Sequence, residues 1–201
     1  MPKQLRNYPI YIAPQIRGQI NPDGNPIVFD EKNNTNLDPN NINDKITIYE
    51  RQVNEWFLNR ASALLKKEDN GFIVLMIAIS YIEGVEEYRQ GQVSNHQSKE
   101  FFRSGMRRIY GLNVEDVTLN DFYDQVRCGL FHSGMTRHKV IINNTFENII
   151  DFTEHNAIKI NPKKFLKKIQ EDFDGYILTL REQNNNTERN RFNTMFTNLQ
   201  N

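Results

Sequence analysis

FIVLMIAISYIEGVEEYR, residues 72–89, is the stretch whose reading decides the fold class. Its first half, Phe72–Ile79, is unbroken apolar sequence, which by periodicity alone fits a buried strand as well as a helix. The continuation through Glu83, Glu86 and Glu87 carries the segment well past strand length, and Gly91 then ends it. The segment therefore reads as a helix. A helix that is apolar on all sides at one end belongs in the middle of a domain, covered by its neighbours. The same run is too short to span a bilayer.

Working outward, Lys45–Lys67 carries Val53, Trp56, Phe57, Ala61, Leu64 and Leu65 at three- and four-residue steps. That spacing predicts one apolar stripe on a helix, with Trp56 in the core. Glu68-Asp69-Asn70-Gly71 stops it. Ser98–Tyr110 repeats the pattern with Phe101, Phe102, Met106 and Ile109, with Ser98 as N-cap and Gly111 as terminator. Thr118 opens a further helix: an acid, Asp121, follows three residues on, and Leu119, Phe122, Val126 and Leu130 line one side. Lys139–Asn143 and Ala157–Ile160 are β-branched runs that predict a small two-stranded ribbon, with a short helical turn at 145–152 between them. Asn161-Pro162 starts the last helix, striped by Phe165, Ile169, Phe173, Tyr176, Ile177 and Leu180. The expectation is an all-α fold, a bundle of about five helices with a small β-type insert.

The ends read differently. Residues 1–45 hold prolines at 2, 9, 14, 22, 26 and 39, and no helical period. Tyr8–Ala13 and Pro26–Phe29 are β-type runs within this stretch, which reads as an irregular N-terminal arm, packed on the helices or reaching to a partner. The helical domain is expected over 46–183, and residues 184–201 as a polar flexible tail. A net charge of zero at pH 7 argues against a strongly basic nucleic-acid coat protein, while leaving room for a local basic patch. One cysteine, Cys128, makes neither an internal disulfide nor a thiolate zinc site. With no secretory signal in MPKQLRNYPIYIAP, the expectation is a cytoplasmic protein with no membrane partner.

Chemistry concentrates in residues 121–134, DFYDQVRCGLFHSG. An amphipathic segment runs up to Arg127, and His132 follows between Gly129 and Gly134. A helical pair, a third helix with SKEFF, a helix ending VRCGLFH-x-G, a β-type insert and a long final helix together resemble the HEPN superfamily, over roughly residues 50–182. That family's hallmark is Arg, four to six residues, then His; Arg127 and His132 have four between them. Arg89 and His96, with six between, match the same spacing but straddle Gly91, where a helix should break. The resemblance implies metal-independent endoribonuclease activity in a homodimer, without a cofactor, in a defence or toxin–antitoxin setting. Two Arg/His sets then face one cleft, the ribose 2′-hydroxyl attacks phosphorus, and a 2′,3′-cyclic phosphate results. Cys128 stands where many active members carry a polar residue. It favours the alternative: a catalytically inactive interaction or nucleotide/RNA-binding module, with an antitoxin or defence-system protein as partner.

The residue types suit that reaction. Histidine takes or gives a proton near neutrality. Arginine stays charged and grips phosphate oxygens in bidentate fashion. Asp124, one turn before Arg127, is the carboxylate expected to hold it, and Glu83 is a candidate to face the same cleft. Lys163, Lys164 and Lys167 give the last helix a basic face able to follow an RNA backbone. Blander accounts stand beside these. Arg127 pairs with Asp124 on the surface, His132 serves the helix dipole, Cys128 packs, and the lysines are a solvated face. His132 and His138 with Glu154 or His155 follow no standard metal-ligand spacing, so no metal site is expected.

Overall fold

The computed structural model describes residues 5–152 and 157–196. It corrects the all-α expectation: the chain is an α+β mix with two sheets. The described residues fall into two compact units, one from 5–57, 88–93 and 175–196, the other from 58–87, 94–152 and 157–174.

The first unit holds what reads in sequence as an irregular arm. Strands β1 (Ile10–Ala13), β2 (Ile16–Ile20), β3 (Pro26–Asp30) and β4 (Thr35–Leu37) form an antiparallel meander in chain order. The two β-type runs become β1 and β3, and the strand that joins them is IRGQI, whose glycine and polar residues hide its alternation. Pro14, Pro22 and Pro39 fall in turns and Pro26 is the first residue of β3, so none of the four interrupts a strand. Gln15, Asn34 and Gly24 take positive φ in the turns. Ile12, Ile16 and Val28 are buried on one face, against helix α1 (Ile42–Val53). Arg51 of α1 meets the buried Asp30 through two hydrogen bonds, 2.6 and 2.8 Å, and Gln52 Nε2 donates to the Ile12 carbonyl at 2.6 Å. The expected flexible tail also changes: Asn186–Phe196 is a helix, here α8, numbered after the helices of the second unit. Phe192 of α8 packs with Tyr49 and Tyr88, ring centroids 5.5 and 5.6 Å away.

Lys45–Lys67 is helical for most of its length but not uniform. After α1 comes a π-helical turn, Asn54–Leu58, and then α2 (Asn59–Leu64). A π turn bonds i to i+5 and shifts the phase of the stripe. Leu58 and Ala61 are therefore buried while Phe57 is exposed and Trp56 only half-buried.

In the second unit the main helices are α3 (Gly71–Gln90), α4 (Ser98–Tyr110), a broken helix from 116 to 133, and α7 (Pro162–Arg181). α3 and α7 continue into the first unit. The broken helix is α5 (Asp116–Phe122), a π turn at Tyr123–Cys128 and α6 (Gly129–Ser133). It begins at Asp116, before Thr118, so the capping expected of Thr118 is not made. Gly91, Gly111 and Gly134 end their helices with positive φ, as their positions in the sequence predict. The core between these helices is aromatic: Phe102 and Phe165 flank Phe122 at 6.0 and 6.5 Å, and Tyr110 packs on Phe165 at 4.5 Å. The insert is a three-stranded sheet and not a ribbon. β5 (Val140–Ile142) runs parallel to β7 (Ile158–Ile160), and β6 (Ile150–Phe152) pairs with β7 on its other side. The predicted helical turn at 145–152 gives way to β6 because Ile150 and Phe152 find partners in Ile160 and Ile158.

Candidate functional site

The π turn at Tyr123–Cys128 sets the site. A π turn leaves a backbone carbonyl outside the regular ladder. Here the Gln125 carbonyl accepts the Arg137 N–H at 2.8 Å, which brings the loop after α6 back onto the helix. Gly129 makes that approach feasible. A Cβ there would stand 2.8 Å from the Met135 carbonyl oxygen and 3.0 Å from the Arg137 nitrogen.

Arg127 sits late in the π turn. Its guanidinium lies between two rings of its own helix, 5.3 Å from the Tyr123 centroid and 5.1 Å from that of Phe131. Nη2 donates to Glu83 Oε2 at 3.2 Å, and the two side chains are 25 % and 19 % exposed, so the pair is half-shielded from water. Burial raises the Tyr123 phenol above its ordinary range, against the pull of the Arg127 charge beside it. Glu83 is itself fixed: its other oxygen accepts the Ser94 hydroxyl at 3.1 Å, and the Ser94 N–H donates to Glu87 Oε1 at 2.8 Å. His132 is exposed on α6, next in the chain to Phe131.

The structure thus brings Glu83 to Arg127 and assigns Asp124 elsewhere. Asp124 accepts from Lys99 Nζ at 3.0 Å, and Lys99 also lies 5.6 Å from the Tyr123 centroid. The physical reason is competition. An ammonium from α4 reaches Asp124, while the carboxylate from α3 reaches the guanidinium. Lys163, Lys164 and Lys167 are exposed on α7. Lys164 donates to the Glu147 carbonyl, and Lys167 stands 3.8 Å from Glu171, whose carboxyl is held low mainly by its hydrogen bond from Lys168.

Phe131, Lys99 and Ser94 escape the sequence reading. Phe131 follows Arg127 at i+4 and so carries a local signal. Lys99 and Ser94 arrive from other elements and carry none.

Among the described residues no group of His, Cys, Asp and Glu side chains is placed to hold a metal ion, and Glu154 and His155 lie outside them. No described helix is long and apolar enough to cross a membrane. Set beside known proteins, the chain is matched by no family model, no curated protein and no solved structure.

Proposed function

We propose that the chain is a metal-independent endoribonuclease of the HEPN type, with Arg127 binding the scissile phosphate and His132 moving a proton or positioning the ribose. The observation that carries this reading is the setting of Arg127. Two aromatic rings and one carboxylate orient the guanidinium, and Glu83 engages Nη2 alone. A guanidinium has five N–H donors in a fixed fork, so an orienting contact at one nitrogen leaves donors to grip a phosphate. An exposed imidazole follows directly after one of the orienting rings.

The cleft is completed by a second copy. Phe131 and Met135 are 44 % and 56 % exposed and bracket His132 in sequence with apolar surface of the kind homodimer interfaces cover. Attack of the ribose 2′-hydroxyl then gives a 2′,3′-cyclic phosphate and a 5′-hydroxyl. Lys163, Lys164 and Lys167 are the proposed contacts to the RNA backbone. The setting is cytoplasmic defence or toxin–antitoxin biology, with a cognate antitoxin or defence-system protein as partner.

One observation favours a second reading, an inactive module that binds RNA, a nucleotide or a protein: the Arg127–Glu83 ion pair competes with any phosphate for the guanidinium. RNA incubated with pure protein in EDTA separates the two. Cleavage with cyclic-phosphate ends is expected from the unaltered chain. Arg127→Ala should cost about a hundred- to a thousandfold. His132→Ala should cost about a hundred- to ten-thousandfold. Equal cleavage by all three proteins, or none by the unaltered chain at high concentration, removes the catalytic reading.

A further inference from the structure

We infer that His96 is a second proton-transfer group of the Arg127 site, an inference that rests on the ribonuclease reading above. Ser94–Gln97 is a tight turn in which the Gln97 N–H donates to the Ser94 carbonyl at 2.7 Å. Its central residues, Asn95 and His96, have φ of +36° and +72°. Two consecutive positive values mark the mirror-image turn, where the first central position suits Asn and the second ordinarily takes Gly. His96 puts a Cβ where glycine fits better, and backbone strain of this kind persists only where the surroundings impose it.

The surroundings here are the site itself. Ser94 is 8 % exposed, and the two hydrogen bonds it donates run to Glu87 and Glu83. The second oxygen of Glu83 accepts from Arg127. The carboxylate that orients the guanidinium therefore also anchors the turn that displays an exposed imidazole. The His96 Cα lies two residues along, within about 7 Å of the Ser94 Cα. The ionisable groups tied to this corner are Glu83 and Glu87 on α3, Lys99 on α4, and Tyr123, Asp124 and Arg127 on the broken helix. Although His96 matches the Arg-to-His spacing with Arg89, the helix ends at Gly91, and the turn that carries His96 is hydrogen-bonded through Ser94 to Glu83, the partner of Arg127.

RNA transesterification needs a base and an acid. One imidazole takes the 2′-hydroxyl proton as the O2′–P bond forms. The other, entering protonated, gives its proton to the 5′-oxygen as the P–O5′ bond breaks, and exchange with water restores both rings. His132 supplies one of these groups and His96 the other.

His96→Gly is the discriminating variant, because glycine relieves the turn while removing the ring. Its melting temperature should hold or rise. Its kcat/KM should fall about a hundred- to ten-thousandfold and lose one limb of the pH profile, and added imidazole should restore part of the rate. Cleavage at the unaltered rate with an unchanged profile overturns the inference, as does a loss that imidazole does not restore and that leaves the profile intact. Both outcomes leave the ribonuclease reading standing. Absence of cleavage by the unaltered chain removes the two together.

Discussion

Two arginine–carboxylate pairs show how far burial changes what an ion pair does. Asp30 is fully buried, and Arg51 meets both of its oxygens. Burial alone would raise the Asp30 carboxyl. The Arg51 hydrogen bonds and charge, with the N–H groups of Asn33 and Lys32, outweigh it and hold the carboxyl below its usual range. A carboxyl whose folded value is depressed contributes stability that is fully present above the ordinary carboxylate value and is lost as pH falls through the folded one. Asp30→Asn should therefore flatten the acid limb of the stability curve. It should also cost about 3–5 kcal/mol at neutral pH, measured by urea unfolding, because Arg51 is left buried without its counter-charge. Glu83→Gln should behave differently. The half-shielded pair with Arg127 contributes on the order of 1 kcal/mol to stability. Cleavage should nevertheless fall at least tenfold as the guanidinium loses its orientation, and unchanged cleavage would mean the carboxylate plays no part in positioning. The four-residue spacing of Tyr123 and Arg127 puts that pair on one helix face. That Lys99 would take Asp124 was not legible in the sequence, since no local pattern brings α4 to that carboxylate.

At the scale of elements, the π turns are what the periodicity does not reveal. Both lie inside segments whose apolar spacing reads as a continuous α-helix. In the first, the shifted phase puts Phe57 into solvent. In the second, it frees the Gln125 carbonyl for the loop after α6. Gly129 lies between Arg127 and His132 in the sequence. Its purpose, allowing backbone from residues 135–137 against the helix, needs the loop in place to be seen. Gly129→Ala should cost about 1–3 kcal/mol, because its Cβ meets backbone atoms that cannot rotate aside. Amide exchange at Arg137 should quicken in the same variant, and an unchanged rate would show that the loop is not held there. The motif helix begins at Asp116, where Arg107 holds the carboxyl low through a 2.6 Å contact. The sequence points to Thr118 as the start because a threonine followed by an acid three residues on resembles a capping box, whereas Glu115, which stands at the cap, makes no side-chain cap hydrogen bond.

For the whole molecule, the testable claim is assembly. If the exposed Phe131 and Met135 surface is covered by a second copy, the protein should sediment as a dimer and Phe131→Glu should yield monomers. The monomeric variant should also lose cleavage. A monomer that cleaves normally would place the complete site within one chain. The N-terminal sheet and the sheet of the insert both escape the sequence for one reason. The strands are three to five residues long, too short for alternation to stand out, and β5 finds its partner β7 only across the intervening β6.

The sequence by itself determined the helices whose apolar stripes are long and regular, their glycine terminators, and the placing of Arg127 and His132 at the end of one of them. These depend on interactions within a few residues, which local pattern records. Only the tertiary structure decided the two sheets, the partner of each charged side chain around Arg127, and the turn that displays His96. A short strand is stabilised by cross-strand partners that its own run does not record, and ion pairing is a choice among distant competitors that burial and distance in the folded chain decide.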